Sequence, residues 1–125
     1  MAIKKREKMS QKVNWIVSDI LDFKPVDTFA ILHDRALFHF LITPEQIAKY
    51  VNLVNCFVSK FMIIATFSEN GPLKCSNLEI KRYTQAELGN VFKDKFELIK
   101  SKKEDHITPF GTTQNFLLCL FKKKD

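Results

Sequence analysis

Between Asp27 and Phe92 the chain changes period repeatedly, and that alternation limits the folds open to it. Thr28 to His33 (TFAILH) is apolar almost throughout, as expected of a strand covered on both faces. Thr43-Pro44-Glu45-Gln46 then opens a helix. The threonine can cap, proline suits the first helical position, and Gln46 stands where a capping box needs it. Ile47, Val51, Val54 and Val58 follow three or four apart, giving one apolar face. Lys60 to Phe67 (KFMIIATF) is a second nearly unbroken apolar run, suited to the centre of a parallel sheet. A second box, Thr84-Gln85-Ala86-Glu87, opens a helix through about Phe92. Strand, turn, capped helix, buried strand, loop, capped helix is the rhythm of a parallel α/β sheet with a ligand edge. No glycine-rich loop precedes it.

The flanking segments extend this pattern. Val13 to Ser18 (VNWIVS) is β-branched and aromatic, hence a strand. Asp19 ends it, and DILDFKPVD leads away without room for a helix. SENGPLKCSNL is a polar loop turning at Asn70-Gly71-Pro72. Phe96 to Lys102 and Thr113 to Phe121 read as antiparallel neighbours joined by EDHITPFG. Residues 1–12 are charged, with a weak helical pattern like the last turns of a surface helix, or a flexible lead-in.

Composition excludes several classes. At 125 residues, 46% apolar and 27% charged, the chain is one soluble domain spanning residues 1–125. Its longest apolar stretches fall short of the roughly 18 residues a membrane span requires. The basic start is followed only by VNWIV, too little for a signal peptide. Cys56, Cys75 and Cys119 form no CxxC pair and no even framework, which points to a reducing cytoplasm. Much of the net charge of +6 sits at the two ends, in KKREK and KKKD, without an RNA-binding or helix-turn-helix signature. Nucleic acid is therefore not the expected partner.

In an open parallel sheet, ligands lie beyond the carboxyl ends of the strands. That rule selects Asp19 and Ile20, then His33, Asp34 and Arg35, then Phe67, Ser68 and Glu69. Asp19 and Asp34 stand there either as acceptors for ligand amines and hydroxyls or simply as turn residues. His33, Asp34, His39 and His106 match no zinc spacing, so no metal is expected. Nothing places a cysteine beside His33 as nucleophile and base.

Several segments carry a resemblance: VNWIVSDILDF, DTFAILHDRALFHFL, FMIIATFSENGPLKCSNLEIKRYTQAEL and EDHITPFGTTQNFLLCLF. In this succession the chain, from about residue 13 to residue 121, resembles the later part of bacterial class I S-adenosylmethionine-dependent methyltransferases. HDRALFHFL and the ATFSENGP segment are similar to a subgroup of small, stand-alone members. The resemblance implies an α/β fold, a partial Rossmann-like methyltransferase sheet, mostly parallel with an antiparallel C-terminal strand and helices packed on it. Residues 13–122 would be the C-terminal part of such a domain, and VNWIVS, TFAILH and KFMIIATF its third, fourth and fifth strands. It further implies S-adenosylmethionine as cofactor, S-adenosylhomocysteine as product, and an unidentified methyl acceptor. By the same likeness Asp19 would accept from the adenine amino group and Ile20 would lie against the purine. His33, Asp34 and Arg35 would border the methionyl and methyl-donor region, where one of them orients the acceptor or takes its proton. LFHFLITPE and the Ser68 to Leu78 loop would border the acceptor pocket.

The chain departs from the family pattern in two places. Gly71, Gly89 and Gly111 are its only glycines, so no GxG turn is present to close around the methionyl group. CFVSKF stands where the family commonly has a proline- and glycine-rich turn before the fifth strand. The expectation is an N-terminally truncated domain with impaired cofactor binding. Two or three lost hydrogen bonds at about 1.5–3 kcal/mol each weaken a ligand by orders of magnitude. Truncation also bares one edge of TFAILH. Either VNWIVS moves in beside it, the preferred expectation, or two chains pair edge to edge as a homodimer. The competing function is a non-catalytic methyltransferase-like module that binds a protein partner through that edge.

Overall fold

The computed structural model describes residues 16–125. Eight elements follow in chain order: β1 (Phe29–Arg35), α1 (Pro44–Phe57), β2 (Val58–Phe67), β3 (Lys74–Cys75), β4 (Leu78–Glu79), α2 (Gln85–Val91), β5 (Phe96–Ile107) and β6 (Thr113–Lys123). The main sheet runs β1-β2-β6-β5, while β3 and β4 form a separate small hairpin.

Both helices start as their sequences dictate. Thr43 Oγ1 accepts from the Gln46 amide at 3.2 Å while Gln46 Oε1 accepts from the Thr43 amide at 3.2 Å. Thr84 and Glu87 close the same reciprocal box at 3.1 and 2.9 Å. Each pair satisfies two amides that a helix start otherwise leaves without partners. At its other end α1 needs no loop. Val58 caps the helix by donating to the Val54 carbonyl and is also the first residue of β2.

Only β1 and β2 are parallel; β2/β6 and β6/β5 are antiparallel. Among the described residues the expected antiparallel C-terminal strand is present, while the expected mostly parallel pairing is corrected to one parallel pair of three. The β5–β6 hairpin folds β6 back between β2 and β5, which reverses two of the three pairings. Glu104 to Ile107, expected in a loop, continue β5, and the turn is confined to residues 108–112. The Ser68 to Leu78 loop contains the β3–β4 hairpin, whose turn residues Ser76 and Asn77 have φ of 50° and 64°. That is the turn geometry that suits a two-residue hairpin, and strands this short leave no periodic trace in a sequence.

The expected strand at Val13–Ser18 is not formed in its described part. Ile16 to Ser18 carry no strand and are exposed, and Val13 to Trp15, like the expected helix remnant in residues 1–12, lie outside the described residues. Asp19 instead turns the chain at once into a 3-10 turn, Ile20–Asp22. Among the described residues, the outer edge of β1 has no neighbouring strand.

The core lies on one side of the sheet. Met62, Ile64, Leu117, Cys119 and Phe121 pack there with Tyr50 and Val54 of α1, Leu88 of α2, and Phe38, Tyr83 and Phe92. On the opposite side, strand register brings Ile31, His33 and Arg35 level with Phe61, Ile63 and Ala65. Leu120 and Leu118 of β6 continue that surface. The β3–β4 segment covers its upper end, where Phe67, Ala65 and Phe116 cluster with Cys75 and Ile80. Below this, Ile31 is 60% exposed and Phe61 36% exposed, with no described helix over them.

Phe38 anchors the covered side: it is fully buried, with the Tyr50, Phe92 and Tyr83 rings centred 4.9, 5.3 and 5.4 Å away. Phe38→Ala should lower the unfolding free energy in urea by about 3–5 kcal/mol through lost burial and an unfilled cavity.

Candidate functional site

The 3-10 turn, β1 and α1 enclose a cleft of about 390 Å³ at the open edge of the sheet. Ile20, Phe23 and Pro25 form one wall, and Tyr50, Leu53 and Phe57 of α1 another. Leu32, His33, Asp34 and Arg35 of β1 supply its floor and rim. Ile20 and the His33-Asp34-Arg35 group, selected from separate stretches of sequence, thus meet in one cavity. The strand was expected to end at His33, with Asp34 and Arg35 just beyond it; all three are its last residues. Asp19 adjoins the cleft as the cap of the 3-10 turn, its Oδ1 accepting from the Leu21 amide at 3.0 Å.

The three β1 residues have different environments. His33 and Arg35 point to one face of the sheet and are exposed. The Arg35 guanidinium lies 5.3 Å from the centre of the Phe116 ring. Asp34 points to the other face and is only 4% exposed. Its Oδ1 accepts from the Leu37 and Phe38 amides at 3.0 and 3.3 Å, and its Oδ2 accepts from the Tyr50 hydroxyl. Burial pushes the Asp34 carboxyl above its usual value, and these three hydrogen bonds, Tyr50 foremost, hold it down in part. Burial and the adjacent Asp34 charge push the Tyr50 hydroxyl well up.

Two residues of this region were not found from sequence. Tyr50 belongs to the buried face of α1, three residues from Ile47 and four from Val54, so its spacing marks it as core and conceals its hydroxyl. His39 follows β1 and is fully buried. Its Nδ1 accepts from the Phe67 amide at 3.1 Å, and its carbonyl accepts from the Lys81 amide at 2.8 Å. It thereby ties the end of β2 to the segment that follows the β3–β4 hairpin. Ser68, beyond β2, is also buried: its amide donates to the Asn115 carbonyl at 3.0 Å and its hydroxyl to Asn115 Oδ1. Ser68 is a fastening for the loop and is absent from the cleft lining. Gly71 is required next to it, because a Cβ there would stand 2.8 Å from the Asn115 carbonyl oxygen.

The sequence matches no family model and no curated relative. Solved structures do match. The chain is similar to the N-methyltransferase NodS from Bradyrhizobium japonicum, solved with S-adenosylhomocysteine, at TM-score 0.68 and 11% identity, covering 99% of this chain and 62% of that one. It is similar to 1,6-didemethyltoxoflavin-N1-methyltransferase from Burkholderia thailandensis, also with S-adenosylhomocysteine, at TM-score 0.74 and 14% identity, covering 99% and 56%. Magnesium protoporphyrin IX methyltransferase from Synechocystis PCC 6803, with bound S-adenosylmethionine, matches at TM-score 0.65 and 11% identity, covering 98% and 53%. The chain has the class I methyltransferase fold and spans less than two thirds of the length of these proteins.

The environment of His39 makes the fold acid-sensitive. Burial lowers its pKa to about 4, below an ordinary 6.5, since charging the ring costs solvation and would put a proton on the nitrogen that accepts from Phe67. A base whose folded pKa is depressed contributes stability above its unfolded pKa and loses it as pH falls toward the folded one. Wild-type stability should therefore drop by about 2 kcal/mol between pH 7.5 and 5. Asp34, with its raised pKa, acts in the opposite sense. His39→Asn, which keeps an acceptor near the Phe67 amide, should abolish the drop in urea unfolding measured at the two pH values.

Proposed function

We propose that this chain forms the C-terminal part of an S-adenosylmethionine-dependent methyltransferase, and that the cofactor's adenosyl half occupies the cleft beside β1. The observation that carries this is the convergence of Ile20, His33, Asp34 and Arg35 on one cavity of about 390 Å³, within the range of small-molecule sites. The likeness to methyltransferases solved with this cofactor or its product supports the same assignment.

The lining fits such a ligand. Ile20, Phe23, Phe29 and Leu32 offer apolar surface for a purine. Asp19 is outside the lining but adjacent to Ile20, and its carboxylate, which caps the 3-10 turn, is the acceptor this reading assigns to an exocyclic amine. When bound, the group supplies a sulfonium methyl to an oxygen, nitrogen or sulfur nucleophile by in-line displacement. This chain's residues then align and exclude water more than they react. His33 is the side chain at the rim able to take a proton from the acceptor. The acceptor itself enters, in this assignment, from the side of Leu37 to Glu45 and the Ser68 to Leu78 loop. The absence of a glycine-rich turn among residues 1–125 predicts weak affinity for the isolated chain.

A second reading rests on the edge of β1 and the sheet face that, among the described residues, have no neighbour. There, an open depression of about 270 Å³ is lined by Ile63, Leu118 and Leu120 with Lys100 and Lys102. Strand edges bearing unpaired amides and carbonyls beside apolar side chains recruit other strands. In this reading the chain is non-catalytic and pairs with a protein partner or with a second copy of itself.

Two measurements separate these readings. Calorimetry with S-adenosylhomocysteine should give saturable, weak binding that Asp19→Ala reduces at least about tenfold, the loss of one charge-assisted hydrogen bond; no saturable heat would overturn the first reading. Sedimentation over a wide concentration range should show a dimer that Ile31→Lys dissociates if the second holds, whereas a monomer throughout excludes self-pairing.

A further inference from the structure

We propose that Asp34 is the positioning residue of the cleft: its carboxylate, held between Tyr50 and the Leu37 and Phe38 amides, sets where His33 and Arg35 stand and does not touch the reacting atoms. This rests on the assignment of the cleft to a methyl-donor cofactor.

The argument begins with the backbone. β1 keeps parallel register with β2 as far as Arg35 opposite Ala65. Ala36 then turns into the left-handed region at φ 62°, and its amide donates to the Ala65 carbonyl at 2.8 Å. A residue with a Cβ holds that conformation only when its surroundings impose it. Here the imposing group is Asp34, whose Oδ1 gathers the Leu37 and Phe38 amides on the far side of Ala36. The turn is in turn referred to the core. The Tyr50 ring packs against Phe38 and Phe92, with centroids 4.9 and 6.3 Å away, so its hydroxyl is a fixed donor for Asp34 Oδ2.

His33 and Arg35 are the immediate neighbours of Asp34 on a strand with no second flanking strand among the described residues. Their side chains face the opposite side of the sheet from the clamp. Their placement therefore depends on whatever fixes the backbone between them. Asp34, saturated by three donors and 4% exposed, has little capacity left for a substrate proton. The titratable group facing it is Tyr50 from α1, while His33, on the other face of the same strand, acts on it only through its charge. Its β2 partner Ile64 and the packed Phe38 carry none, and His39 of the next turn is committed to the Phe67 amide.

The test is an NMR pH titration of the full chain, read at the Leu37 and Phe38 amides, the His33 ring and the Arg35 side chain, with S-adenosylhomocysteine affinity measured alongside. In the wild type all four sets of signals should move together as Asp34 protonates. Tyr50→Phe removes a hydrogen bond that favours the charged carboxylate, so the common midpoint should rise by about one pH unit. Asp34→Asn should abolish the shared step, displace the His33 and Arg35 signals at every pH, and weaken S-adenosylhomocysteine five- to tenfold. If Asp34→Asn lowers only the melting temperature, leaving the His33 and Arg35 signals and any ligand affinity as in wild type, Asp34 is a structural residue and the proposal fails. Should the wild type bind no S-adenosylhomocysteine, the cofactor assignment falls, while the His33 and Arg35 signals still decide whether Asp34 positions them.

Discussion

The buried carboxylate of Asp34 joins three pieces of the molecule: the sheet, the helix α1 and the turn after β1. It receives a hydroxyl from α1 and two amides from the turn after β1, while its own backbone belongs to the sheet. A charged group removed from water is tolerated when most of its lone pairs are engaged, and here three donors engage them. The same turn carries Phe38 into the core and His39 under the end of β2. Sheet, helix and cleft thus share one polar fastening, and the exposed side chains on either side of it inherit their geometry.

The layering around that fastening is unequal. Both helices and nearly all the large buried side chains lie on one face of the sheet. Among the described residues, the opposite face is closed only at its upper end, by the β3–β4 segment. β1 has the apolar composition of a central strand yet stands at an edge among the described residues. The cleft owes its openness to this position. With a further strand beside β1 the same residues would be walled in; among the described residues, His33 and Arg35 are exposed.

Much of this arrangement was legible in the residues. The two capping boxes fixed both helix starts to the residue, because their signal is local and chemical. The two apolar runs located β1 and β2; of the residues that the strand-end rule selected, Ile20 and His33 to Arg35 line one cleft, whereas Asp19, Phe67, Ser68 and Glu69 do not. What escaped depended on distant partners. No periodicity announces that β6 inserts between β2 and β5, since either edge would suit an alternating strand. VNWIVS reads as a strand by propensity, yet Ile16 to Ser18 have no described neighbour to pair with, and propensity without a ladder does not make a sheet. Within the site, Asp34 and His33 look equally eligible in one dimension. Only the pleat separates them, turning one toward Tyr50 and the other toward water.

The central position of β6 has a consequence for biosynthesis. β2 leaves the ribosome before the strand that flanks it opposite β1, Thr113–Lys123, which follows it in the chain only after β3, β4, α2 and β5. Until those residues emerge, the most apolar strand of the molecule stays unzipped along one side. The nascent polypeptide therefore passes through an interval in which its stickiest surface is exposed, and a chaperone able to shield β2 would have most to do during that interval.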